Sequence, residues 1–257
     1  MELRVQTQLE AHFSRFRSHI IGDELMFASP YGPKRVLYAD WIASGRLYRP
    51  IEEQMTLRFG PYVGNTHTET SLCGTVMTRA YHEAKHRIKH HVHAGPEDAL
   101  VLAGPGMTTV INKWIRMLGL RIPERLNAYT RLPDEERPVV FVTHMEHHSN
   151  QTCWLETICD VVVIPPDEDG RVDPDLLDVA LAAHAHKPYK IGAFTACSNV
   201  TGVEVPYHEL ARRMHAVGGL CFVDFAASAP YVDIDMHPDG DPAASLDAIY
   251  FSPHKFL

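Results

Sequence analysis

Short apolar runs separated by amphipathic stretches fill the chain from residue 99 onward. The runs are Leu100–Leu102, Val139–Val142, Val161–Ile164, Ile191–Phe194, Cys221–Val223 and Ala248–Phe251. They are continuous rather than alternating, the pattern of strands buried on both faces. Between them, Thr108–Leu118, Pro174–Ala185 and Tyr207–Val217 read as amphipathic helices. Strands alternating with helices predict an α/β fold: a three-layer sandwich with a mostly parallel sheet. Right-handed crossovers would gather the strand C-terminal ends along one edge, where ligands bind in such folds.

The first hundred residues carry weaker signals. Leu9, Phe13 and Phe16 recur at helical spacing, and Pro30, Gly32 and Pro33 close that section. Residues 1–35 therefore read as a helix and an irregular arm, and residues 36–257 as one large domain. Val36–Gly45 reads as a short strand running into small residues. Val76–Val92 reads as a helix.

Composition narrows the classes of partner. The 257 residues carry 24 basic and 32 acidic side chains, a net charge of −8, with no Lys/Arg-rich block, which argues against a nucleic-acid surface. No apolar run approaches the length of a membrane span, and the N-terminus has no signal-peptide core, so the expected location is the cytoplasm. Five scattered cysteines (Cys73, Cys153, Cys159, Cys197, Cys221) form no CxxC pair and read as reduced thiols. Cys197 and Cys221 lie in or beside apolar runs and read as buried structural thiols.

The residues after each run carry the candidate chemistry. After Leu100–Leu102 come Gly104-Pro105-Gly106-Met107-Thr108-Thr109, opening a helix where an anion such as phosphate would find free N–H groups. A dinucleotide fingerprint fails there, because the third glycine is missing. Val139–Val142 leads into Thr143-His144-Met145-Glu146-His147-His148-Ser149-Asn150, with rings able to ligate, transfer protons or stack. Ile191–Phe194 is followed by Asn199, a neutral donor suited to a phenolate-type oxygen. Cys221–Val223 delivers Asp224 and the small Ala226, and Ala248–Phe251 delivers Ser252, His254 and Lys255. An aspartate and a lysine ending neighbouring buried strands suit pyridoxal phosphate. The amine forms a Schiff base and the carboxylate pairs with the pyridinium nitrogen.

A competing motif is His82-Glu83-Ala84-Lys85-His86, which matches the HExxH pattern of zinc hydrolases. Its histidines share a helix face with His90, but the extended HExxHxxGxxH form fails at Lys89 and Val92. Lys85, Arg87 and Lys89 would repel a dication, so a solvated polar face with no metal is expected.

Taken in order, Ala39–Gly45, Gly106–Asn112, Glu146–Asn150, Ser198–Gly202, Val223–Ala226 and Ser252–Lys255 resemble the class V aminotransferase family of fold-type I enzymes, nearest the cysteine desulfurase and selenocysteine lyase branch. The resemblance runs from about Leu37 to Leu257. It implies a pyridoxal phosphate cofactor, an amino-acid substrate and a homodimer in the complete enzyme. Lys255 would hold the cofactor and shuttle protons, and Asp224 would pair with the ring nitrogen. His147 would stack on the ring, with Ala226 against the opposite face. Asn199 would bond the ring oxygen. Met107, Thr108, Ser252 and His254 would hold the phosphate, and Ala43 and His67 would shape the substrate mouth. Ala227 departs from the pattern, since the desulfurases usually carry Gln there. The resemblance also implies a further strand, a small domain, a carboxylate-binding arginine and a catalytic cysteine after the lysine. The chain therefore reads as the N-terminal part of a longer enzyme, with a truncated, non-catalytic remnant as the remaining reading.

Overall fold

The computed structural model describes residues 2–126, 128–130 and 132–256. They fall into two compact units, one from residues up to 87 together with 254–256, the other from residues within 88–253.

The larger unit is built on a five-stranded sheet in the order β4-β3-β5-β6-β7. Its strands are β3 (Val139–Thr143), β4 (Asp160–Ile164), β5 (Lys190–Thr195), β6 (Leu220–Asp224) and β7 (Ala248–Tyr250), and every pairing is parallel. Helix α4 (Met107–Met117) precedes β3, and α5 (His148–Leu155), α6 (Pro174–Ala183) and α7 (Tyr207–Ala216) follow β3, β4 and β5 in turn. The α/β expectation holds, with the sheet wholly parallel.

Alternation along each strand divides the core into two faces. Val140 and Val142 of β3, Ile191 and Ala193 of β5, Phe222 of β6 and Tyr250 of β7 pack with Met107, Ile111 and Ile115 of α4 and with Cys153 and Trp154 of α5. Phe222 is the hub: its ring meets Trp114 edge-on at 5.8 Å and Trp154 nearly parallel at 6.4 Å. On the other face Phe141 meets His184, just beyond α6. There Gly192 leaves room chiefly for the Phe194 ring, since a Cβ at that position would lie 2.5 Å from Phe194 Cζ and 3.1 Å from Met214 Cγ of α7. Asp173 caps α6 by accepting the Asp175 N–H at 2.9 Å, with Pro174 in the first turn.

In the smaller unit α1 (Glu2–Arg17) is followed by an antiparallel hairpin, β1 (Met26–Ser29) and β2 (Gly32–Arg35). Gly32 supplies the positive φ (90°) that its turn requires. A short helix α2 (Arg49–Glu53) and the long α3 (Leu72–His91) complete it, the last turn of α3 belonging to the larger unit.

Three sequence expectations need correction. The arm that follows the first helix, up to residue 35, is not irregular throughout, because it holds the hairpin. Val36–Gly45 is not a strand: Asp40 turns the chain, its main-chain oxygen accepting from Ala43 and Ser44 and its Oδ1 from Ala43 (3.3 Å). Leu100–Leu102 is apolar but outside the sheet, since β7 pairs with β6 alone among the described residues. No helix among these residues is long and apolar enough to cross a membrane.

Candidate active site

The chain reverses direction across the sheet at β3. From β3 it moves outward to β4, then crosses back to β5 and continues to β6 and β7. The C-terminal ends of β3 and β5 therefore flank a topological switch point, where open α/β sheets bind ligands. The β3–β5 ladder stops at Phe141 and Gly192. Beyond it the strand ends separate and side chains take over as hydrogen-bond partners.

Asp224 ends β6 between Thr195 on β5 and Tyr250 on β7 in the strand register. It is buried, and its Oδ1 accepts the Ala226 N–H at 2.8 Å. That bond folds the chain sharply after the strand, so Ala226 sits half-buried just past the sheet edge.

Ser252, also buried, follows β7 by two residues. Its Oγ accepts the Met107 N–H at 2.9 Å, tying the end of β7 to the start of α4. Gly106, at the N-cap of α4, provides no side-chain cap. The exposed Thr108 and Thr109 follow in the first turn. An uncapped, eleven-residue helix with hydroxyls at its head and Ser252 beside it is suited to an anion.

His147 caps α5. Its Nδ1 accepts the Ser149 N–H at 3.2 Å and lies 2.8 Å from the Ser149 hydroxyl, which points the ring proton to Nε2. The ring is exposed, as an aromatic-stacking surface must be. Asn199 lies exposed in the turn after β5, which is closed by the Gly202 N–H to the Ser198 carbonyl at 2.9 Å.

The remaining expected residues belong to the smaller unit. Lys255, half-buried, and His254, exposed, lie in a single 3-10 turn, Pro253–Lys255. The Gly45 N–H donates to the His254 carbonyl at 2.9 Å, and the Ser44 hydroxyl reaches the same oxygen at 3.3 Å. A Cβ on Gly45 would come within 2.9 Å of the Phe256 carbonyl carbon and 3.2 Å of the Lys255 carbonyl oxygen, so only glycine admits this approach. Ala43 is exposed in the neighbouring turn. His67 is exposed with φ 66° and its N–H donates to Thr78 Oγ1 at 3.0 Å.

Sequence reasoning assigned no role to Glu146, Asn150 or Thr195, which prove central. Glu146 is half-buried, with its carboxylate turned inward onto Thr143, Thr195 and Asn150. Burial pushes its pKa up to about 7, against the pull of those hydrogen bonds and with help from the charge of Asp224. The available signal was a carboxylate three residues after a buried strand, with an amide four residues further on.

His82, Glu83, His86 and His90 are exposed on α3, and Glu83 pairs with Arg87 at 2.7 Å. The described residues contain no cluster of three metal-ligating side chains. Cys221 is buried as expected, whereas Cys197 is partly exposed. Burial raises the thiol pKa of both, Cys221 the more strongly.

The donor set fits pyridoxal phosphate on its chemistry: a buried carboxylate, an exposed ring and a hydroxyl-rich helix start at the ends of neighbouring parallel strands. Comparison with known proteins agrees. The family model for aminotransferase class V matches residues 37–257. A probable cysteine desulfurase from Halalkalibacterium halodurans is 27% identical over 224 residues, covering 86% of this chain and 50% of its own. One from Streptomyces coelicolor is 24% identical over 226 residues, with the same coverage. The solved cysteine desulfurase of Thermococcus onnurineus matches with TM-score 0.65 and 19% identity, over 85% of this chain and 50% of that one. An Escherichia coli cysteine desulfurase matches with TM-score 0.64 and 21% identity, over 94% and 54%. At those identities the solved structures show the fold. The chain spans about half the length of these relatives.

Proposed function

Because the chain belongs to the class V aminotransferase family, whose members are pyridoxal phosphate-dependent enzymes, we propose that it serves a reaction on an amino acid with cysteine desulfurase-like chemistry. The observation that carries this reading is the buried Asp224 at the C-terminal edge of β6, between β5 and β7. When bound, the cofactor supplies an aldehyde for a lysine amine and a ring that accepts the electron pair released at the substrate Cα.

The residues of this chain supply the rest. Asp224 holds a proton on the ring nitrogen, and its burial strengthens that charge-assisted bond. Lys255 contributes the amine and moves a proton at the substrate Cα. His147, through its imidazole, and Ala226, through its small side chain, would hold the cofactor ring between them. Asn199 donates to the ring oxygen. Thr108, Ser252, His254 and the Met107 backbone would hold the phosphate, which would share the Met107 N–H with Ser252 Oγ. Ser252 already accepts the Met107 N–H, so its own hydroxyl proton points elsewhere. Ala43 and His67 would shape the substrate mouth, as the family resemblance implies. Ala227 contributes no hydrogen bond where the desulfurases place a Gln, so Asn199 bears more of that load.

The names of the relatives, probable cysteine desulfurases, support an amino-acid substrate. The family resemblance supports a homodimer of the full-length protein with residues 36–257 as its cofactor-binding domain. Five free thiols support a reducing, cytoplasmic setting.

Asp224→Asn in the full-length protein tests the reading. It keeps the shape and removes the charge, so turnover should fall roughly 10- to 100-fold, the equivalent of one charge-assisted bond, while some cofactor still binds. Near-normal turnover would contradict it.

A further inference from the structure

Where the β3–β5 ladder stops, two groups of β5 still face the vacated position of β3: the Ala193 carbonyl and the Thr195 N–H. The Thr195 N–H is met by Glu146 of the β3–α5 connection and the Ala193 carbonyl by Asn150 in the first turn of α5. Glu146 Oε1 accepts the Thr195 N–H at 2.8 Å, the Thr143 hydroxyl at 2.7 Å and, more weakly, the Thr143 N–H at 3.3 Å. Its Oε2 accepts from Asn150 Nδ2 at 2.6 Å, and the same amide donates to the Ala193 carbonyl at 3.2 Å. Thr143, Thr195 and Asn150 are all buried. One carboxylate thus joins the ends of β3 and β5 to the first turn of α5, at the switch point itself. The next residue is His147, whose ring caps that same helix.

We propose that Glu146 is a positioning residue: by gathering the donors at the ends of β3, β5 and α5, its carboxylate fixes the turn that holds the His147 ring at the sheet edge. What His147 is held for rests on the function proposed above. The holding itself does not.

The shell around Glu146 offers donors only, which makes the role specific to a carboxylate. Glutamine has one acceptor and one donor end. Turned either way, its NH2 opposes an N–H, that of Asn150 or that of Thr195. Asn150 has no easy escape, because turning its amide would set its oxygen against the Ala193 carbonyl. The charged group whose field reaches Glu146 is Asp224 on β6, which opposes its ionisation. His144 and His147 are the titratable neighbours on its own connection, and His148 opens α5.

The test uses the full-length protein with Glu146→Gln and, as a second substitution, Thr143→Val, which keeps the shape but removes a hydroxyl that donates to Glu146 at 2.7 Å and accepts the Met145 N–H at 3.1 Å. The readout is hydrogen exchange at the imidazole C2 position of His147, followed by mass spectrometry across pH 6 to 9 without added cofactor. Both variants should change the His147 exchange rate, Glu146→Gln the more, while the histidines of α3 keep theirs. A His147 profile unchanged in Thr143→Val, or in a folded Glu146→Gln protein, overturns the proposal. A second measurement adds pyridoxal phosphate and follows its induced circular dichroism. Affinity should weaken about tenfold in Glu146→Gln, the loss expected for one buried hydrogen bond. If wild type binds no cofactor while the His147 profile still shifts, the proposed function fails and the role of Glu146 stands.

Discussion

Burial sets the pKa of Glu146 at about 7, from an ordinary 4.5, although Asn150, Thr143 and Thr195 all favour its anion. A carboxyl with a raised folded pKa contributes stability below its unfolded value and loses it as pH rises through the folded one. Between about pH 4.5 and 8, wild type should therefore lose about 3 kcal/mol of unfolding free energy relative to Glu146→Gln. Chemical denaturation of both proteins across that range checks it, and parallel curves would contradict it. Asp224 and Ser252 were legible in the sequence because each follows an apolar run directly, and the strand period fixes where such residues emerge. Glu146 was not legible. Its role depends on where one ladder stops pairing, which is a property of two strands together and leaves no mark in either alone.

Elements were legible where burial dictated their pattern. β3 to β7 and α4, α6 and α7 all lie within a few residues of their predicted positions. Helix α5 escaped notice because it opens on His148-Ser149-Asn150, polar residues that serve the site rather than the core. The exposed hairpin β1–β2 has no apolar alternation to announce it. Leu100–Leu102 misled in the opposite sense, being strand-like in composition but lacking a strand partner. Two predictions belong at this scale. Phe222→Ala removes the ring shared by Trp114, Trp154 and Tyr250 and should cost about 3–5 kcal/mol of apparent stability, read from denaturant midpoints. A cost below 1 kcal/mol would show that this face of the sheet is loosely packed. Gly45→Ala forces a Cβ onto the main chain of Lys255 and Phe256. It should lower cofactor loading while leaving the unfolding of the sheet unchanged. Full loading would mean that the Lys255 turn tolerates the shift.

For the molecule as a whole, β4 and β7 are the sheet edges among the described residues, and β3, β5 and β6 are interior. A cavity of about 230 Å³ lies along β7, lined by Leu100, Val101, Trp114, Ile249 and Phe251 among others. Unpaired edge amides exchange readily. Hydrogen exchange on the 257-residue chain should therefore show β7 opening well before β5 and β6. Equal protection would mean that β7 has a partner outside the five strands. Family membership and the parallel sheet were readable from the order of the motifs. The division into two compact units was not, because a lysine three residues after a buried serine gives no sign that the chain passes from one unit to the other between them. The central claim is that this chain holds pyridoxal phosphate through Lys255, and one measurement addresses it most directly. The full-length protein is loaded with pyridoxal phosphate, reduced with borohydride, digested and mapped by mass spectrometry. The account predicts a phosphopyridoxyl group on the peptide containing Lys255. A folded, cofactor-loaded protein labelled on another lysine, or on none, would contradict it.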